Sequence, residues 1–469
     1  MDTESGTEQG LAVSEQHADQ EIPARKMKKG SRGQRAWFLQ TFVWGVLLMM
    51  GLFPLIQQVL GVNPVATDFC QDYVASVRVL HGLAPYLPLH CRSTLFKALA
   101  PVEYDAHPPF SILFFLPLAL LPKVTAAIIW GFGCLAMYLL SGALLLRALG
   151  WLSLRNVALF VFGSILWPPA VQAEDLQNFA QLLLLLLISA WLLERKKHDS
   201  WAGWLLGLAS LLKIWPALLL VESLMQRRCR LALVGGMTIA LGLLLGLGIV
   251  GPGAYAAYLG PVQANEHYWI PSEGNISLAG AVARPLLGDS AFPLPSIIQG
   301  IPSEQAVLLG EILAGLLLIG TLFFLWWRCR KTTSEVAGLL SQSLLITISL
   351  LVFPITWLWG LITILLPCTM LLLALRLLPR PPRWWFVLLA AGLLPLLLHP
   401  AWLQALAGFP FSAHLAGLDA LRTLFLGLPT LGLLLFTAAQ ALLLWWNTSR
   451  NRYTHISGKD KAALAAEKR

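Results

Sequence analysis

Long apolar stretches, separated by short polar or basic segments, dominate the pattern of this chain. Each has roughly the twenty residues that an α-helix needs to cross the hydrocarbon core of a bilayer. The pattern therefore predicts an all-α polytopic integral membrane protein. The predicted spans lie near 37–56, 124–147, 157–172, 178–194, 231–250, 305–327, 335–353, 357–376, 384–399 and 421–446.

Clusters of Arg and Lys between the apolar stretches set the orientation, because such clusters stay in the cytoplasm. Residues 201–225 have basic clusters at both ends, so a single crossing would place one cluster outside. We interpret this segment as a hairpin of two short helices that meet around Lys213–Pro216. With it, the topology has about twelve spans and both termini in the cytoplasm.

This topology divides the chain into three parts and provides two long outer loops. The polar first segment has no apolar core, so we do not expect it to be a cleavable secretion signal. Loops as long as the outer two are usually functional. The parts are a cytoplasmic basic tail (1–36), a transmembrane domain (37–446) with outer loops 57–123 and 251–304, and a cytoplasmic tail (447–469).

Composition supports the membrane assignment. Hydrophobic residues make up 57% of the 469 residues and charged residues only 12%, about half the charged fraction of soluble proteins. A soluble enzyme, a collagen-like protein and a disordered protein are excluded. The net charge of +9 is explained as an orientation signal, so we expect no nucleic-acid partner.

Two of the six cysteines, Cys70 and Cys91, lie in the first outer loop. The outer compartment is oxidising, which favours a disulfide between them; two free thiols are the alternative. The cysteine spacing does not match a metal site.

The first outer loop also holds two carboxylates, Asp68 and Asp72, four residues apart and so on one face of a helix. Mutual repulsion and desolvation would raise at least one pKa, which suits a general base that takes a proton from a hydroxyl. In the alternative interpretation, Asp68 caps the helix and Asp72 pairs with Arg78.

Two basic side chains are candidates for binding a phosphate. Lys213 lies between apolar residues, where an ionisable group is costly and functional by default; snorkelling to the interface is the alternative. His107 precedes Pro108 and Pro109, which suit a helix start and would hold the imidazole at the membrane face. The alternative for His107 is a structural turn.

Further polar groups at the predicted outer face could bind sugar hydroxyls or phosphate, or could be ordinary loop caps. They are Gln177, Asn178, Asn275, Ser277 and Arg284. Trp357 could stack on a sugar or belong to the interfacial aromatic belt. The sequence contains no P-loop, HExxH or CxxC motif.

Taken in order over about residues 37–375, these motifs resemble glycosyltransferase family 87, which includes polyprenyl-phosphate-mannose-dependent mannosyltransferases. The motifs are Asp68-Phe69 to Tyr73, Gly82 and Pro85-Tyr86; His107-Pro108-Pro109 to Pro117 and Leu121-Pro122; Gln177-Asn178; Gly207-Leu208-Ala209 with Lys213 and Pro216; Asn275 with Ser277; and Pro354 to Trp357.

The resemblance implies a GT-C fold whose first outer loop carries the catalytic carboxylate. The family's loop aspartate corresponds to Asp68, while Asp72 occupies a more variable position. Many members have an acidic residue and histidines after the Trp357 motif, whereas this chain has Leu358-Trp359-Gly360. This departure argues against a substrate contact from that turn and against assigning mannose by family alone.

The resulting hypothesis is a bacterial, inverting glycosyltransferase of the plasma membrane that is active at the outer face of that membrane. Its donor would be a polyprenyl-phosphate monosaccharide, with mannose favoured, and its acceptor a hydroxyl of a lipid or glycan. Asp68 would be the base, and Lys213, helped by His107 and Arg284, would stabilise the leaving phosphate. No cofactor is expected, and metal independence is favoured because no acidic cluster looks dedicated to an ion.

Two other functions fit the same sequence features. One is a transporter or flippase of lipid-linked sugars, which predicts charges near mid-membrane and pseudo-symmetric halves. The other is a glycan ligase or polymerase that uses a lipid-pyrophosphate donor, for which a large basic outer loop would be typical.

Overall fold

A computed structural model describes the molecule as α-helical, and an isolated antiparallel β-bridge joins Asn275 and Trp357. The chain separates into two compact units, Met1–Val43 and Trp44–Arg469, and the account below concerns the second. The structure describes residues 31–61, 68–89, 91, 105–262, 269–272, 274–287, 303–329, 334–397 and 425–467.

Seventeen α-helices are numbered here in chain order within the described residues. The first nine are α1 (Ser31–Leu60), α2 (Asp68–Leu80), α3 (Pro109–Ala119), α4 (Lys123–Ala148), α5 (Leu154–Leu166), α6 (Pro168–Leu176), α7 (Ala180–Arg195), α8 (Asp199–Leu212) and α9 (Ala217–Met225). The others are α10 (Cys229–Val250), α11 (Pro252–Ala257), α12 (Leu278–Leu287), α13 (Ser303–Cys329), α14 (Glu335–Val352), α15 (Leu365–Leu377), α16 (Arg383–Leu397) and α17 (Leu428–Glu467). A π-helical turn (Tyr258–Val262) follows α11, and a 3₁₀-helix (Leu358–Ile364) precedes α15.

Seven helical segments of the described chain are long and apolar enough to cross a membrane, or eight if the bent pair α5–α6 forms one span. They are α1, α4, α10, α13, α14, Leu358–Leu377 and α17. The multi-pass helical architecture is therefore confirmed. The total of about twelve spans and the orientation of the termini stay predictions.

The segment 201–225 contains two short helices, as the charge pattern predicts. Helix α8 ends at Leu212, Lys213 adopts an extended backbone (φ −141°, ψ 131°), and α9 begins at Ala217. The 14 residues of α8 give a helix of about 21 Å, which is shorter than the hydrocarbon core of a bilayer. Lys213 thus lies at the end of a short helix.

The predicted span 157–172 is not one straight helix. Helices α5 and α6 meet at Trp167 with a bend of 77°, because Pro168 and Pro169 occupy the first turn of α6 and proline cannot continue the preceding helix. Helix α6 ends at Gln177 in a left-handed conformation (φ 51°, ψ 48°). The Oδ1 atom of Asn178 then accepts a hydrogen bond from the Ala180 N–H at 2.7 Å, at the start of α7.

Small residues allow α8 and α10 to pack with their backbones in contact. A Cβ atom added to Gly203 would overlap the Leu231 carbonyl oxygen, and one added to Gly207 would lie 2.7 Å from the Gly235 carbonyl oxygen. Interfaces of small residues are a common way for membrane helices to associate closely. This contact fixes the helix that ends at Lys213.

We expect Gly203→Val to force α8 away from α10, at the cost of about 1–3 kcal/mol typical of an overpacked interior. The purified protein should then melt at a lower temperature in detergent. Gly236→Val is the matched control, because Gly236 is an exposed glycine on α10 whose added Cβ meets no atom within 4 Å. Equal melting temperatures for the two variants would contradict the packing account.

Candidate active site

Helix α2 presents two carboxylates from its first and second turns. Asp68 is its first residue, and Asp72 follows one turn later. Two other side chains of α2 anchor the helix by hydrogen bonds to backbone carbonyls. The Tyr73 hydroxyl donates to the Leu121 carbonyl at 2.7 Å, and the Ser76 hydroxyl donates to the Ile112 carbonyl at 2.9 Å. The α2 backbone is therefore held against α3 and the segment that follows it.

A disulfide joins Cys70 and Cys91. Cys70 lies between the two aspartates along α2, and both cysteines are buried. The bond closes a separation of 21 residues, which restricts the unfolded chain and stabilises the folded loop.

Asp72 is fully buried and held from two sides. Its Oδ1 atom accepts a hydrogen bond from the Ser111 hydroxyl at 3.2 Å, and its Oδ2 atom lies 3.0 Å from His107 Nδ1. Arg78, the partner considered for Asp72 from sequence, instead donates to the carbonyl oxygens of Pro85, Leu87 and Pro88. The Asp72–Arg78 pairing is therefore replaced by an Asp72–His107 pairing.

His107 lies between two carboxylates on a fixed backbone. Its Nδ1 atom is 3.6 Å from Asp105 Oδ1, and the same oxygen accepts a hydrogen bond from the His107 backbone N–H at 3.0 Å. The Tyr86 hydroxyl donates to the His107 carbonyl at 2.6 Å. The ring of Phe179 contacts the imidazole edge-on, with centroids 5.1 Å apart.

Asp68 is less buried than Asp72 and faces groups from three other parts of the chain. His107, Lys213 and the side-chain amide of Asn178 all interact favourably with its carboxylate. The helix ends at Asn178 and Lys213 thus meet the start of α2. Five side chains proposed from sequence, those of Asp68, Asp72, His107, Asn178 and Lys213, come together at one place.

Burial shifts the pKa values of this cluster. Removal from water raises the pKa of Asp68 and raises that of Asp72 to about 6, because a buried carboxylate loses solvation when it is charged. Burial opposes the charge on His107, but Asp72 and Asp105 outweigh it and raise the His107 pKa to about 10. The site therefore favours positive charge between its carboxylates.

The second polar group of residues holds a turn in place. Asn275 donates to the carbonyls of Ile270 and Pro354 at 2.8 and 2.9 Å, and its Oδ1 accepts from the Ser277 and Thr356 N–H groups. The Ser277 hydroxyl also donates to the Pro354 carbonyl, at 2.7 Å. These hydrogen bonds join the loop before α12 to the turn after α14.

Arg284 and Trp357 belong to the same region. The buried guanidinium of Arg284 donates to the carbonyls of Pro271, Ser272 and Asn275. Trp357 stacks on Trp359, with ring centroids 5.0 Å apart and planes inclined by 12°. The 3₁₀-helix that follows Trp357 packs against α6 and α7, so this region borders the helix junction that carries Asn178.

Gln177 lies buried on the other side of that junction. Its backbone carbonyl accepts a hydrogen bond from Trp130 Nε1 at 2.8 Å, and its side-chain amide packs against the backbone of Gly131. The contacts of Gln177 are therefore with α4.

Sequence reasoning missed Asp105 and Ser111 as members of the cluster. Asp105 precedes His107 by two residues and Ser111 follows it by four. An acidic residue two positions before a candidate histidine was the available signal for Asp105. A hydroxyl in the first turn of an apolar helix was the weaker signal for Ser111.

These helices and this cluster define a multi-pass membrane protein with carboxylates, an imidazole and an amine gathered at helix ends. The model of glycosyltransferase family 87 matches residues 106–354. The match covers more than half of the chain, which therefore belongs to glycosyltransferase family 87 and is a membrane glycosyltransferase. Asp68 and Asp72 precede the matched segment, whereas His107, Asn178 and Lys213 lie within it.

The other two comparisons add no relative. No curated protein and no solved structure matches the chain significantly.

Removing the disulfide should destabilise the site. We expect Cys91→Ser to lower the free energy of unfolding by about 2–4 kcal/mol, the usual contribution of such a bond, and so to lower the melting temperature. Cys229→Ser, at an exposed free cysteine, is the control. If non-reducing peptide mapping finds Cys70 and Cys91 as free thiols in the native protein, the pairing is wrong.

Proposed function

We propose that this glycosyltransferase moves a monosaccharide, with mannose favoured, from a polyprenyl-phosphate donor to a lipid or glycan hydroxyl. The reaction inverts the anomeric centre and takes place at the outer face of the plasma membrane, with both termini in the cytoplasm. The observation that carries this proposal is the electrostatic attraction between Lys213, at the end of α8, and the carboxylate of Asp68. The candidate base thus has an amine within electrostatic range that could bind the phosphate.

Asp68 serves as the general base. The oxygens of Asp72 already contact Ser111 and His107, whereas the carboxylate of Asp68 interacts with Asn178 and Lys213. The acceptor hydroxyl loses its proton to Asp68 while its oxygen bonds to the anomeric carbon. The bond between that carbon and the phosphate oxygen breaks, and the phosphate leaves with the electron pair.

Asp72 has a positioning role in this proposal. Its carboxylate is 1% exposed and holds the imidazole of His107 next to Asp68. A change at Asp72 should therefore alter the folded site as well as the rate.

Lys213 stabilises the negative charge that develops on the leaving phosphate. Positioned cations beside such a charge are among the largest contributions to catalysis. The extended backbone at Lys213 ends α8, which places the amine beyond the apolar helix body. Arg284 donates hydrogen bonds to the backbone carbonyls of Pro271, Ser272 and Asn275, so the proposal assigns the phosphate to Lys213.

The first test compares Asp68→Asn with Asp72→Asn. Loss of the base should lower sugar transfer by about 10²–10⁴-fold while leaving the melting temperature close to that of the unmodified protein. Asp72→Asn should lower both the rate and the melting temperature, because His107 loses a buried partner. Asp175→Asn, at an exposed carboxylate of α6, is the matched control.

Transfer is measured with purified protein in lipid nanodiscs, a panel of radiolabelled polyprenyl-phosphate sugars and native membrane lipids as acceptors. Full activity of Asp68→Asn would exclude Asp68 as the base. If no donor is consumed but a labelled lipid-linked sugar crosses the bilayer, transport replaces transfer as the function.

The second test replaces the phosphate-binding cation. We expect Lys213→Met to lower kcat by about 10²–10³-fold, as removal of one electrostatic contact to a transition state does. Lys213→Arg keeps the charge and should recover part of the rate. Initial rates over a range of donor concentrations provide the measurement, with Lys196→Met, at an exposed lysine, as control; unchanged kinetics for Lys213→Met would exclude the role.

A further inference from the structure

Three side chains beside Asp68 offer a compact set of metal-ligating atoms. One ligand atom from each of Asp72, Asp105 and His107 can be chosen so that all three lie within 4.8 Å of one another. Two of the separations, 3.0 Å from His107 Nδ1 to Asp72 Oδ2 and 3.6 Å from His107 Nδ1 to Asp105 Oδ1, are those of neighbouring ligands around one ion. All three residues are at least nine-tenths buried.

Orphaned atoms in the same place indicate that something further binds there. His107 Nδ1 lies close to both carboxylates, yet it makes no hydrogen bond of acceptable geometry within the part of the chain that the structure describes. The Oδ2 atom of Asp105 is also buried without a hydrogen-bond partner among those residues. Buried polar atoms without partners are rare and call for an explanation such as an ion.

Charge balance favours a divalent cation. Asp68, Asp72 and Asp105 carry three formal negative charges when ionised, and Lys213 supplies one positive charge. The formal sum of two negative charges is balanced by one divalent cation. A buried carboxylate without compensation is costly.

The surrounding structure holds the three donors in place before any ion binds. Ser111 fixes one oxygen of Asp72, which turns the other toward His107. Tyr86 and the Asp105 carboxylate fix the backbone of His107. Such outer contacts orient metal ligands and raise affinity.

We propose that Asp72, Asp105 and His107 bind one divalent cation. Two carboxylates and one imidazole form a mixed oxygen and nitrogen set, which suits Mn²⁺ or Zn²⁺ better than the oxygen-only ligation of Ca²⁺. Three protein ligands leave coordination positions open. The proposal replaces the metal independence favoured from sequence, because Asp105, the residue that completes the set, was not included there.

The role of the ion, although not the site itself, rests on the proposed function. Next to Asp68 and Lys213, a divalent cation would stabilise charge on a phosphate oxygen of the donor as a Lewis acid. Lys213 and the ion would then act on the same leaving group.

The test uses the full chain in nanodiscs. Metal content is measured first on the purified protein by mass spectrometry; the protein is then stripped with a chelator and titrated with Mn²⁺, followed by electron paramagnetic resonance. We expect one ion per chain, and binding at least about tenfold weaker in Asp105→Asn and His107→Gln. Asp175→Asn and His198→Gln change exposed side chains and should bind as the unmodified protein does.

Melting temperature provides a second readout that needs no variant. Mn²⁺ or Zn²⁺ should raise the melting temperature of the stripped protein, because an ion that binds only the folded state stabilises it. Absence of stoichiometric Mn²⁺ or Zn²⁺ binding together with an unchanged melting temperature would overturn the site. Equal affinity in Asp105→Asn, His107→Gln and the controls would overturn its assignment.

The same samples separate this inference from the proposed function. Sugar transfer that persists undiminished in protein shown to contain no metal would leave the transferase standing and remove the ion's role. Stoichiometric binding without transfer from any polyprenyl-phosphate sugar would keep the site and reject the proposed donor.

Discussion

The structure around α2 depends on one constraint, the burial of negative charge where little water is available. Asp72 and Asp105 are almost completely buried, and a buried charge is tolerated only with nearby compensation. The compensating groups come from separate elements: His107 precedes α3, and Lys213 ends α8. Close packing of α8 on α10 and the anchoring of α2 against α3 keep those groups in range.

Most residues of this cluster could be predicted from the sequence, because an ionisable side chain among apolar residues has a high energetic cost and is therefore a functional candidate. A lysine between apolar residues, with Pro216 three positions later, predicted both a functional cation and a helix break, and the structure has α8 end at that point. The basic clusters at both ends of 201–225 predicted two short helices. Asp105 was missed because its proximity to Asp72, 33 residues earlier in the chain, is a tertiary contact that no local pattern encodes.

The polar residues Asn275 and Arg284 illustrate a different limit. Asn275 and Arg284 have the side chains that bind sugars, yet the same donors and acceptors also satisfy backbone groups of irregular loops. Here their described partners are backbone atoms. The result is a fixed turn that carries Trp357 stacked on Trp359, at the position where the family more often has acidic and histidine side chains. Residue type alone could not separate the two uses.

The four-residue spacing of Asp68 and Asp72 gives their carboxylates different environments on one helix. Four residues correspond to a rise of about 6 Å along the axis. The two side chains therefore share one face of α2 but lie one turn apart. Asp72 contacts Ser111 and His107, whereas Asp68 interacts with Asn178 and Lys213. A base must meet its substrate, whereas a group that orients a buried imidazole must not move. The proposed assignment of the base to Asp68 uses this difference in partners, because both oxygens of Asp72 already contact Ser111 and His107.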